Sequence, residues 1–153
     1  SKHTYSQLYD ALANLGGTLL VETLPKWIAE SITPQEQDHT KATYTKLLTK
    51  EDGRIDWKKS AVEIDRMVRA LNPWPGTWSF IRSEAKPPTR IKILTGYPTD
   101  EPATEPPGTL TKTKSGQCAA STGNGLYAIE ELQIEGKKRS SKLLESMHSG
   151  SLS

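Results

Sequence analysis

The sequence predicts a mainly β protein with helices: a small OB-like antiparallel barrel preceded by a helix, with a further helix and a linker in front. Three observations carry this. Two stretches, 4–24 and about 60–71, have helical apolar spacing behind a hydroxyl cap. From Gly76 onward the spacing becomes partial alternation, in about five short segments bounded by Gly, Pro, Ser or Asn. None of these segments is a long apolar run, and short antiparallel strands leave least edge exposed when the sheet curls into a barrel.

The first helix opens at Thr4-Tyr5-Ser6-Gln7, a capping-box pattern with a hydroxyl at the cap and a Gln three residues on. Tyr5, Leu8, Leu12, Leu15 and Leu19 follow at alternating spacings of three and four, which is one helix face. Gly16-Gly17 costs roughly 1 kcal/mol per Gly relative to Ala. Such a pair is kept where another backbone comes close, or it marks a weak point between two shorter helices. Pro25 can begin a further turn through Trp27 and Ile28.

Residues 33–56 are polar and lack periodicity, as in a linker or an extended crossing segment. Ser60-Ala61-Val62-Glu63 is a second capping box, and Ile64, Met67, Val68 and Leu71 form the stripe behind it. Asn72-Pro73 ends that helix, because the residue before proline avoids helical dihedrals and proline donates no hydrogen bond. The segment 72–76, NPWPG, reads as structural: its prolines stop the helix and Gly76 permits a sharp entry into the first strand. Trp74 is expected to wedge the helix end against the barrel, with a stacking platform for an RNA base as the alternative. Trp57 and Trp78 are expected in the core.

The strand segments are Thr77–Arg82, Thr89–Tyr97, Thr109–Thr113, Gln117–Thr122 and Leu126–Ile134. Ser115-Gly116 and Gly123-Asn124-Gly125 mark hairpin turns. Residues 98–108, with four prolines and several acids, read as a surface loop. Gly136 opens a basic stretch, and a short helix is expected from Ser140 to about Met147.

Composition narrows the chemistry. Net charge is only +2 with a pI near 8.6, so the whole-chain balance does not argue for nucleic acid, and the distribution of charge decides. Cys118 is the single cysteine; no intramolecular disulfide is possible, and buried packing is its expected role. No apolar run approaches the roughly 20 residues that span a bilayer. His3, His39 and His148 are scattered and have no partner at metal-ligand or nucleophile spacing. No catalytic, cofactor-binding or metal-binding residue is therefore assigned in this chain.

Basic residues give the better lead. Lys46, Lys50 and Arg54 recur every four residues, Lys58 follows, Arg90 and Lys92 share one face of a strand, and Lys112, Lys137 and Lys138 lie farther on. These nine are the candidate RNA contacts, since a barrel face studded with Lys and Arg follows a phosphate backbone. The plain alternative is the solvated charged surface of any globular protein.

The stretch GRIDWKKSAVEIDRMVRALNPWPGTW, residues 53–78, resembles the methionyl-tRNA formyltransferase family where that family leads into its C-terminal domain. Upstream, LYDALANLGGTLLVETLPKWIAESITPQEQD and ATYTKLL look like the last helix of the catalytic domain and the interdomain linker. Downstream, PGTLTKTKSGQCAASTGNGLYAIEELQIEGKKR looks like the barrel strands and a basic segment. The likeness covers nearly the whole chain, and the order R-I-D-W, N-P-W-P-G, L-Q-x-E-G-K-K is specific. The family's K-L-S-K stretch has Leu47 at its first lysine here, with Lys46 one residue earlier; Lys50 matches the second lysine. Ser140-Ser141 and Leu143-Leu144 also depart from the family pattern.

The resemblance implies a function. The family moves a formyl group from 10-formyltetrahydrofolate, its substrate, to the amino group of methionine on initiator tRNA. Its catalytic residues lie in an N-terminal Rossmann-like domain with no counterpart here, so no formyl transfer is expected from this chain alone. The implied division is 1–32 as the terminal helix left from that domain, 33–56 as linker and 57–150 as an OB-like tRNA-binding domain. The implied partners are initiator methionyl-tRNA and the missing catalytic domain, in a bacterial cytoplasm or, second, an organelle. Helix 4–24 is expected either to fold onto its own barrel or to mediate self-association, since its apolar stripe lacks a cover. The alternative is the barrel of another folate-dependent formyltransferase or hydrolase that binds no RNA.

Overall fold

The computed structural model describes residues 2–83, 86–139 and 151–153. It forms two compact units, residues 1–48 and 49–153.

The first unit is built on helix α1, Tyr5–Ile28. Its cap is the expected reciprocal one: the Gln7 amide donates to Thr4 Oγ1 at 3.4 Å, and the Thr4 amide donates to Gln7 Oε1 at 3.0 Å. The helix passes through Gly16-Gly17 unbroken and includes Pro25. A side chain added at either glycine would meet nothing within 4 Å, so the pair admits no close backbone within the described residues. No residue of α1 is buried. After it the chain is irregular apart from a 3-10 turn, His39–Lys41, capped by Asp38.

The second unit begins with a 3-10 turn, Lys50–Gly53, whose opening is closed by the Thr49 amide donating to Asp52 Oδ2 at 2.8 Å. Gly53 lets this turn lie against the backbone at Gly76; a Cβ there would collide with the Gly76 carbonyl. The chain then runs beside the first barrel strand, with the Ile55 amide donating to the Trp78 carbonyl at 2.9 Å. Helix α2, Ala61–Leu71, starts at the expected Ser60–Glu63 box and buries Ala61, Ile64, Val68 and Leu71 against the sheet.

The sheet contains β1 (Thr77–Ser83), β2 (Lys86–Pro98), β3 (Leu110–Lys112), β4 (Cys118–Ser121), β5 (Leu126–Ile134) and β6 (Ser151–Leu152). Its order is β3-β4-β5-β2-β1-β6, and every named pair is antiparallel. Ser151 of β6 also bridges Thr109 beside β3, which brings the two ends of the sheet together in a nearly closed barrel. The fold is therefore the small OB-like barrel with a preceding helix. The expected strand count of about five is corrected to six, because a two-residue strand has no alternation to read. The helix expected at 140–147 lies outside the described residues.

Inside the barrel, Ile91, Ile93, Tyr127, Ile129 and Leu132 pack with Ile64 and Val68 of α2. Trp57 joins them, donating from Nε1 to Ser79 Oγ at 3.0 Å. Cys118 is buried as expected. Trp78 is buried too, at 5% exposure, but its register partner is Lys92, whereas its neighbours Thr77 and Ser79 pair with inward Ile93 and Ile91. It therefore stands on the outer face of the sheet, covered by the 50–54 segment.

Trp74 corrects an expectation. It is 59% exposed, so it is not the buried wedge between helix end and barrel. Asn72 makes that junction instead: its Nδ2 donates to the carbonyls of Val68, at 3.0 Å, and Leu94, at 2.9 Å. The Leu94 carbonyl is available because the β2–β5 register shifts between Ile93 and Thr95. A polar clamp at the helix end leaves the indole two residues later free to face solvent.

Candidate nucleic-acid interface

The outer face of β2 begins the site. Ile91 and Ile93 point inward and are fully buried, so Arg90 and Lys92 point outward, as their spacing predicts. Cross-strand register sets Trp78, Lys92 and Gln133 in one row, and Phe80 and Arg90 in the next, where the Glu135 amide donates to the Arg90 carbonyl. Above this surface lies a groove of about 380 Å³, walled by Lys50, Pro73, Trp74, Pro75, Arg90, Lys92, Gln133, Glu135 and Gly136.

Trp78 organises two of the groove's cations. Its Nε1 donates to the Lys50 carbonyl at 2.8 Å, which fixes the backbone that carries the Lys50 side chain. The Arg90 guanidinium lies 4.1 Å from its ring centroid, and Arg54 approaches the same ring at 5.7 Å. Such stacking holds a guanidinium flat while leaving its outer nitrogens available. Arg90 Nε itself has no hydrogen-bond partner among the described residues. At the far end, Gln133 Nε2 donates to the Lys137 carbonyl at 2.9 Å, and the Lys137 amide donates to the Ile134 carbonyl. This turn uses a positive φ of 75° at Gly136, a conformation that suits glycine. It presents Lys137 and Lys138, both exposed, next to the groove wall.

The nine candidate residues thus sort into groups. Lys50, Arg90 and Lys92 share the groove, and Lys137 and Lys138 extend it. Arg54 and Lys58 line a second cleft with Ile55, Asp56, Trp57, Pro107, Leu152 and Ser153. Lys112 is exposed on β3, which β4 and β5 separate from β2. Lys46 belongs to the first unit. Gln133 and Glu135 escape a reading of the sequence: a search for cations passes over them, and only the β2–β5 register shows them beside Lys92 and Arg90.

Three cations face one carboxylate in this groove, with an exposed indole on its wall. That arrangement suits a polyanion with flat aromatic groups better than a purely apolar ligand. Among the described residues, no group of three or more His, Cys, Asp or Glu side chains converges as a metal site, and no helix is long and apolar enough to cross a membrane.

The family described as "Formyl transferase, C-terminal domain" matches residues 47–144. A protein of Roseiflexus sp. (strain RS-1) named methionyl-tRNA formyltransferase is 47% identical over 131 residues, covering 86% of this chain and 39% of that protein. Proteins of the same name from Chloroflexus aurantiacus and Clostridium novyi are 40% and 36% identical, covering 83% and 88% of this chain and 40% and 42% of their own length. The chain spans about two-fifths of the length of the curated relatives it matches.

Proposed function

From the premise that the chain belongs to the formyl transferase C-terminal domain family, we propose that it is the tRNA-holding part of a methionyl-tRNA formyltransferase. In this reading the whole enzyme transfers a formyl group from 10-formyltetrahydrofolate to the amino group of methionyl initiator tRNA, in translation initiation in a bacterial cytoplasm. The bacterial sources of the relatives support the last point. The chain itself binds no folate and carries out no transfer; both belong to the catalytic domain, whose terminal helix is α1.

One observation carries the reading. Lys50, Arg90 and Lys92 converge on one groove on the barrel's outer face, continued by Lys137 and Lys138. Most contacts to tRNA would be to phosphates, so affinity falls steeply as salt rises.

The test is fluorescence anisotropy of labelled initiator tRNA with this chain at low and moderate salt. Binding should weaken with salt. The double variant Lys50→Ala/Lys92→Ala should bind more weakly and with a shallower salt slope, by about 0.9 for each phosphate no longer neutralised. Absence of binding at low salt would overturn the reading and leave a family barrel that does not bind RNA.

A further inference from the structure

We propose that the groove receives a single unpaired nucleotide, with its base stacked on Trp74, its phosphate between Lys50 and Lys92, and Glu135 selecting bases that carry an exocyclic amino group. The inference rests on the RNA reading above and narrows it.

Trp74 is the first support. The other two tryptophans of the second unit are 4% and 5% exposed, while Trp74 is 59% exposed beside the groove's cations. The Asn72 clamp secures the junction between α2 and β2, so the fold does not need this indole as a wedge. A free aromatic face next to a cationic track is how single strands are held: the ring takes a base and the cations take the backbone. A continuous stem hides its base faces in the helical stack, so the matching ligand is an unpaired nucleotide.

Glu135 is the second support. Its carboxylate is exposed in a groove with three cations, yet it forms no ion pair or side-chain hydrogen bond among the described residues. For phosphate alone it is a liability, since it repels the ligand. It becomes useful when a base presents an amino group. Adenine, cytosine and guanine carry exocyclic amino groups and uracil does not. The amide nitrogen of Gln133 is committed to the Lys137 carbonyl, which leaves its carbonyl oxygen as a second acceptor in the same wall.

The experiment uses this chain and fluorescein-labelled RNA hairpins with one common stem, at low salt. The hairpins end blunt, in a short adenosine tail or in a short uridine tail. The adenosine tail should raise affinity about tenfold over the blunt stem, toward the low end of the range for one stacked base. Trp74→Ala should remove that advantage and Trp74→Phe should keep most of it. Glu135→Gln should shrink the preference for adenosine over uridine. Trp74 is exposed, so the Trp74→Ala variant should keep the parent's urea midpoint, which shows that its weaker binding does not come from unfolding. Equal binding of blunt and tailed hairpins, or a tail advantage untouched by Trp74→Ala, overturns the inference while the salt-sensitive tRNA reading stands. Failure of every hairpin and of initiator tRNA to bind overturns both.

Discussion

The Arg90 guanidinium rests 4.1 Å from the centroid of the Trp78 ring, on the outside of the barrel. Trp78 in turn donates to the carbonyl of Lys50. One buried indole therefore positions a cation on the sheet and a cation on the turn that crosses it.

A first prediction concerns that stack. Arg90→Lys keeps the charge but replaces a flat guanidinium with a compact ammonium that cannot lie along the ring. Stability should fall by about 0.5–1 kcal/mol, part of the roughly 0.5–2 kcal/mol a cation–π contact is worth, since the ammonium keeps some attraction to the ring. Urea unfolding followed by tryptophan fluorescence measures this. A variant as stable as the parent would mean that the stack only decorates the surface.

The Asn72 clamp makes a second. Asn72→Ala should cost about 1–3 kcal/mol, because the Leu94 carbonyl then loses its side-chain donor. Asn72→Asp should cost more, since a carboxylate would face the carbonyls of Val68 and Leu94 with no proton to offer. Thermal melts of the two variants rank the effects. The order fails if aspartate proves the milder change.

Cys118 gives a pH-dependent prediction. Burial pushes its thiol above the usual range, and the nearby charge of Lys112 opposes this only in part. The folded chain should react slowly with a disulfide reagent at mildly alkaline pH and rapidly once urea is added. The linkage has a definite sign. An acid whose folded pKa is raised keeps its proton in the folded state after the unfolded chain has released it. Its contribution is intact below the unfolded value of about 8.5 and is lost as pH rises from there through the folded value. Cys118→Ser should flatten that alkaline fall in the unfolding midpoint.

The first unit supplies a fourth. Leu8, Leu12, Leu15 and Leu19 are each about half exposed or more, on a helix that buries nothing. An uncovered stripe of this kind drives association. The chain should show a concentration-dependent mass by light scattering, and deleting residues 1–32 should return it to the monomer. An unchanged mass after deletion places any association elsewhere.

Features encoded by a few adjacent residues are legible in the sequence. Thr4–Gln7 and Ser60–Glu63 form the boxes their spacing announces, because a cap involves only one turn of chain. Arg90 and Lys92 face out together because strand alternation is local. Trp74 defeats such a reading for the opposite reason. Its exposure depends on Asn72 reaching the carbonyl of Leu94, 22 residues away and freed by an irregularity in the pairing of β2 with β5. Glu135 and Gln133 join the groove through the register of β5 on β2, which no window of sequence contains. Lys112 looks like its fellow cations in sequence, and the strand order alone separates it from them.

The two-residue strand β6 has a consequence in time. Ser151 and Leu152 pair with Arg82 and Ile81, about seventy residues earlier, and Ser151 also meets Thr109. Contacts so distant along the chain form late, since the intervening loop must be ordered before they repay it. Until those two residues join the sheet, β1 keeps one open edge and Thr109, beside β3, lacks its bridge. Open edges recruit other strands. The interval between synthesis of β5 and arrival of β6 is therefore when this barrel is most exposed to misassembly, and a chaperone that shields strand edges would matter most then.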